Sequence, residues 1–154
     1  MIVVSSCLAG KECRYNGTHR LVDKIQELVK QNKAMMVCPE LLGGFSTPRE
    51  PAEIVGGTGE DVLKGKAAVI SQSGADVTSM YIDGAFKALE IVQQVQATHI
   101  VLKEDSPSCG SIQIYNGEFS GSKINGEGVT TALLRKEGFN VISEQKFWEL
   151  TLSD

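Results

Sequence analysis

Three short apolar runs in this chain each give way to a cysteine, and that arrangement constrains the fold more than any other feature. Residues 2–6 (IVVSS) precede Cys7, residues 34–37 (AMMV) precede Cys38, and residues 99–103 (HIVLK) lead through a short polar stretch to Cys109. Brief apolar runs bounded by turn-forming residues read as buried strands. Between the first two runs, Leu21, Val22, Ile25, Leu28 and Val29 recur at helical spacing, which predicts an amphipathic helix over about 18–32. A strand–helix–strand unit with short connections is parallel and right-handed. In an open parallel sheet the carboxyl ends of the strands share one edge, and ligands bind there. Three cysteines remote in sequence are therefore expected on one rim.

The rest of the chain continues the alternation. Residues 39–60 hold three of the four prolines and five glycines and read as a loop. A loop of that length is usually functional. Residues 62–70 suggest a small hairpin about Lys64-Gly65-Lys66. Asp76 or Thr78 then caps a long helix with an apolar stripe of Tyr81, Ala85, Ala88, Leu89, Val92 and Val95. Gly84 inside that helix implies close approach of another backbone. After the third strand come a glycine-rich region with a strand pair near 112–115, a short helix over 129–137 stopped by Gly138, and a strand at 140–143. A last helix, about 145–150, carries Trp148 as a packing residue. With no repeat or linker, residues 1–154 read as a single α/β domain, three-layered and Rossmann-like, with a mostly parallel sheet.

The formal net charge of −4 argues against a general DNA-binding or membrane-surface protein, both of which favour a basic face. It leaves room for a small anionic ligand held by a few local cations. No stretch has the apolar length of a membrane span, and the first residues lack the pattern of a secretory leader. A cytoplasmic protein is expected, with its four cysteines reduced and available for metal or catalytic use rather than for disulfides.

Several thiol chemistries compete. Structural zinc favours paired C-x-x-C spacings, which are absent, as they are for a disulfide oxidoreductase. The two histidines suit other roles: His99 opens an apolar strand, and His19 stands at a helix start. An iron–sulfur cluster is held by thiolates, and three ligands would leave one iron open for substrate chemistry. Cys13 would be a fourth ligand or simply a small hydrophobe. The plain structural alternative is that all four thiols are packing residues, since cysteine is often buried.

At CLAGKECRYNG, CPELLGGFSTPREPAE, ADVTSMYIDGA, LKEDSPSCGS and IYNGEFSG, the chain resembles the thiouracil desulfidase family, in register from about residue 3 to 138. The resemblance implies a [4Fe–4S] enzyme with Cys7, Cys38 and Cys109 as ligands; Cys13 matches no family ligand. It implies removal of sulfur from a thiolated uracil or its nucleotide, giving uracil and hydrogen sulfide without net redox change, with Glu40 and Ser106 as catalytic residues. The partner would be a small thiopyrimidine. Glu40 suits a general base, or else caps its loop or pairs with Arg49. Ser106 suits a hydrogen-bond donor, or else is an ordinary turn serine. Arg14 or Arg49 would hold a substrate phosphate, and Tyr15 would stack on a pyrimidine or pack beneath its loop. Lys103 and Arg20 read as surface charges. Ala9 and Asn16 depart from the family's usual leucine and aspartate, which bears on substrate identity. An exposed cluster is oxygen-sensitive, so aerobic preparation can strip it. Two other readings stay open: a metal or cluster protein that handles sulfur without nucleobase chemistry, and a metal-free thiol enzyme using Cys109.

Overall fold

The computed structural model describes residues 1–5, 18–45 and 50–152, the side chains of 18–22 and 151–152 excepted. Along the chain run β1 (Ile2–Ser5), α1 (Thr18–Lys30), β2 (Ala34–Val37), α2 (Pro39–Leu42), β3 (Ala52–Val55), α3 (Gly59–Leu63) and β4 (Ala68–Ser71). Then follow α4 (Thr78–Gln94), β5 (His99–Leu102), β6 (Gln113–Tyr115), β7 (Lys123–Asn125), α5 (Val129–Lys136), β8 (Val141–Ser143) and α6 (Glu144–Leu152).

The apolar runs pair as a four-stranded sheet in the order β2-β1-β5-β8, parallel throughout. Successive side chains along a strand point to opposite faces, and both faces are covered. Val3, Ile100, Leu102 and Val141 join a core built with Tyr81, Ala85, Ala88, Leu89 and Val92 of α4 and Val129, Leu133 and Leu134 of α5. Val4 and Val101 point the other way, against Ile25 of α1 and Phe147 of α6, with Ile142 and Trp148 packed alongside. The result is the expected three-layer, Rossmann-like α/β arrangement. Strands buried on both sides explain why the runs are continuously apolar rather than alternating.

Two expectations need correction. Residues 39–60 are not a structureless loop: α2, β3 and the start of α3 lie within them. Pro39, with its fixed φ, sits at the first position of α2, where the missing N–H costs nothing. The proposed hairpin over 62–70 is also wrong. Val62 belongs to α3, whose start is held by a capping box between Thr58 and Asp61. The partner of β4 is β3, antiparallel, with Ile54 opposite Val69. The strand pair near 112–115 does form, as β6 with β7.

Gly84 meets the backbone its sequence context implied. A methyl group there would lie 3.0 Å from the carbonyl carbon of Pro39 and closer still to its oxygen. The contact is reciprocal, because a methyl group on Gly43 would press equally on Met80 of α4. Two facing glycines thus let α2 lie directly on α4, and this fixes the segment that follows β2.

Candidate active site

The chain leaves β1 for β2 through α1 on one face of the sheet and reaches β5 through α4 on the other. Strand order reverses at β1, which makes the carboxyl edge beside it the favoured place for a ligand. A cleft of about 490 Å³ opens there, within the usual range for ligand sites of roughly 300–1,000 Å³. Ser5 at the end of β1 lines it, with Cys38, Pro39 and Glu40 from beyond β2. Lys103 to Ser106 and Cys109 from beyond β5 form the opposite side, and Tyr115 of β6 closes one end.

On the β2 side, Cys38 is a free, partly buried thiol at the cap position of α2. Glu40 stands in the first turn of α2 and takes a long hydrogen bond, 3.4 Å, from the Tyr81 hydroxyl of α4. Tyr81 is itself held edge-on against Phe45, with ring centroids 5.2 Å apart. The position of Glu40 is therefore inherited from the α2–α4 contact.

On the β5 side, Cys109 is a buried cysteine in a loop bolted to α5. The Ser106 hydroxyl oxygen accepts the Cys109 N–H at 2.7 Å, and the Ser106 carbonyl accepts the Gly110 N–H at 3.0 Å. The first amides of α5, which have no partner within the helix, donate to this loop: Val129 to the Pro107 carbonyl at 2.8 Å and Thr130 to the Ser108 carbonyl at 2.9 Å. The Thr131 hydroxyl donates to the Cys109 carbonyl at 3.0 Å. A side chain at Gly128 would strike the Ser108 carbonyl oxygen at 2.6 Å, so glycine is what allows the loop and helix to meet.

Three carboxylates line the cleft, and their surroundings separate them. Burial opposes ionisation of Glu104, but the amides of Gln113, Ile112 and Ser111 and the Ser111 hydroxyl outweigh it and hold its carboxyl below the ordinary value. Asp105 pairs with Lys123 at 2.9 Å, and that ammonium also sits 5.5 Å from the centroid of the Tyr115 ring. Glu40, in the first turn of α2, accepts the Tyr81 hydroxyl. Behind Glu104 lies Glu144, whose carboxyl is pushed up by burial and by the neighbouring Glu104 charge.

The structure thus brings together Cys38, Glu40, Ser106 and Cys109, which the sequence reading singled out. Cys7, Cys13, Arg14, Tyr15 and Arg49 lie outside the described residues. Among the described residues no three histidine, cysteine or acidic side chains gather around a metal-sized space. Lys103, read from sequence as a surface charge, is partly buried and lines the cleft. Its place directly after the β5 run was the available signal. Glu104 and Tyr115 lie within the LKEDSPSCGS and IYNGEFSG stretches but were not singled out, because neither residue type there announces a role by itself. Among the described residues no helix is long and apolar enough to cross a membrane.

The chain is similar to known proteins. A family model described as 2-thiouracil desulfurase matches residues 2–146. A Bacillus subtilis (strain 168) protein described as the uncharacterized protein YbbK is 62% identical over 146 residues, spanning 95% of this chain and 97% of that protein. A solved structure of the [4Fe-4S]-dependent thiouracil desulfidase TudS superposes with a TM-score of 0.78 at 40% identity, covering 99% of this chain and 95% of the other.

Proposed function

The chain belongs to the 2-thiouracil desulfurase family, and from that premise we propose that it is a [4Fe–4S]-dependent desulfidase that releases sulfur from a thiolated uracil. The observation that carries the reading is the meeting of two cysteines, Cys38 and Cys109, with Glu40 and Ser106 on one cleft at the strand-order reversal. The donor set suits the group. Both described donors are thiols, which iron–sulfur clusters prefer. Cys7 comes two residues after Ser5, a cleft residue, in the sequence. We assign Cys7, Cys38 and Cys109 as the three ligands, with Cys13 outside the set.

A bound cluster with one iron free of protein ligands supplies a soft Lewis acid for a thiocarbonyl sulfur. The chain's own residues do the rest. Glu40 holds a water against the ring carbon and takes its proton as general base. Ser106 accepts the Cys109 N–H through its oxygen, which leaves the hydroxyl proton to donate to the ring as charge builds. Lys103 contributes positive potential to the same cleft. The water oxygen ends on the ring carbon as the new carbonyl, the carbon–sulfur bond breaks, and sulfur leaves as hydrogen sulfide. No electron is gained or lost overall. Arg14 and Arg49 are assigned to a phosphate on the substrate, and Tyr15 to the pyrimidine ring. We take the whole chain as one domain acting on a small thiopyrimidine in the reducing cytoplasm, with no role in DNA binding.

The deciding experiment is anaerobic loading of the protein with ferrous iron and sulfide, followed by incubation with 2-thiouracil. Equal iron and acid-labile sulfide per chain, together with hydrogen sulfide and uracil as products, is the expected result. A loaded protein that binds 2-thiouracil and related thiopyrimidines but releases no sulfide overturns the catalytic reading. A protein that takes up no iron yet desulfurates overturns the cluster.

A further inference from the structure

We propose that Glu104 is a positioning residue for the Cys109 loop, joining the loop's exit to its entry and so setting where the Cys109 thiol and the Ser106 hydroxyl stand. The inference rests on the functional reading above for what the loop holds, but not for the geometry. One carboxylate oxygen of Glu104 accepts the N–H groups of three successive residues, Ser111 at 2.9 Å, Ile112 at 2.7 Å and Gln113 at 2.8 Å. The other oxygen accepts the Ser111 hydroxyl at 2.5 Å. The Glu104 N–H in turn donates to both oxygens of Glu144, at 3.1 Å each, and Glu144 is buried at the start of α6 beside β8. The entry of the loop is thereby fastened to the sheet, and its exit is fastened to the entry.

The physical reason for a carboxylate is the number of donors. Three N–H groups converge on one point where the chain turns from the loop into β6, and an anion is the strongest acceptor for such a set. Alternatives fail on chemistry. Glu104 lines the cleft, yet its lone pairs are occupied by four donors, so it is a poor proton acceptor for a substrate. Its role is exerted through Ser111 and the loop, not on the reacting atoms. Nothing in the local sequence announces this: the four contacts span seven to nine residues and exist only once the loop has closed.

Substitution separates the charge from the shape. In Glu104→Gln the amide oxygen still accepts the three N–H groups and the amide nitrogen donates to the Ser111 oxygen, so the clasp survives with weaker, uncharged bonds. In Glu104→Ala it is gone. Amide hydrogen exchange in the metal-free protein is the first readout. We expect residues 111–113 to exchange at least about tenfold faster in Glu104→Ala, about two- to threefold faster in Glu104→Gln, and the β1 and β5 amides to keep their rates. The second readout is loss of iron to a ferrous chelator after anaerobic loading, with the visible circular dichroism of the loaded protein. Loss should be faster in the same order, with an altered spectrum in Glu104→Ala. Ser111→Ala should speed the loss slightly by itself and add nothing in the Glu104→Ala background, since both act through one clasp. Should Glu104→Ala fail to fold, Glu104→Gln and Ser111→Ala still carry the comparison. Parent-like exchange at 111–113 in the variants overturns the proposal whatever the iron content. A parent that takes up no iron overturns the functional reading alone, because the exchange measurement still decides the role of Glu104.

Discussion

Alanine at Gly43 or Gly84 tests how the cleft is built, because the two glycines are the contact that places Cys38 and Glu40. Gly84 lies within α4, where replacing glycine by alanine ordinarily favours the helix by about 1 kcal/mol. Here the added methyl group would stand 3.0 Å from the Pro39 carbonyl carbon, against a comfortable separation of about 3.5 Å or more. The backbones must part by at least about half an ångström, and further to clear the oxygen. Overpacking of this kind costs about 1–3 kcal/mol, and two rigid backbones leave no rotamer to absorb it. Gly43 ends α2 with φ −78° and ψ −1°, a conformation alanine adopts freely, so its substitution carries the full steric cost without the helix-propensity gain. Gly43→Ala should therefore destabilise by about 2–3 kcal/mol and Gly84→Ala by about 1 kcal/mol less. For a chain of this length each kcal/mol lowers Tm by roughly 2–4 °C. Urea unfolding of the metal-free proteins measures the difference. The displacement also carries Cys38 and Glu40 with it, and an ångström of misplacement at a reacting centre can cost about a hundredfold in rate. Gly84→Ala with equal or greater stability and unchanged sulfide release would show that helix propensity governs the site and that the close approach does not.

Cys7→Ala, Cys38→Ala and Cys109→Ala should each lose most of their iron after anaerobic loading, while Cys13→Ala keeps it; iron analysis of the four proteins would refute the ligand set if any of the first three retained a full complement. Glu40→Gln should keep iron and bind thiopyrimidine, with kcat lower by about a hundredfold or more; near-normal turnover in a sulfide-release assay removes Glu40 from the chemistry. Glu104 also sets a pH dependence. Its carboxyl is held below the ordinary value of 4.5, so the stabilisation is fully present above that value and is lost as pH falls through the lower, folded-state value. Urea midpoints taken across the acid range should therefore fall less steeply for Glu104→Gln than for the parent, and an unchanged slope would refute the assignment.

How much of this was legible beforehand depends on the range over which each feature is encoded. The four sheet strands and the helices on their faces are written as apolar runs and periodic stripes, for example Ile25, Leu28 and Val29 on α1, and such patterns survive reading without a structure. The positions of Cys38 and Cys109 past strand ends are likewise local facts, and parallel topology turns them into neighbours. By contrast, β3, α3 and β4 are four or five residues long and set among glycines and prolines, so no periodicity marks them and a loop and hairpin were the natural misreadings. Lys103 was taken for a surface charge because its one local signal, a place directly after the β5 run, is shared by lysines in solvent.

The linear order of apolar runs, turn formers and thiols was enough to determine an α/β layered chain with cysteines at strand ends, because burial of periodic faces is governed by neighbours a few residues apart. Only folding in three dimensions decided that β3 pairs with β4, that Gly43 seats against Gly84's helix, and that the amides of 111–113 converge on Glu104. Each of these depends on close distances between groups that the sequence does not place side by side, and it takes the closed chain to bring them within reach.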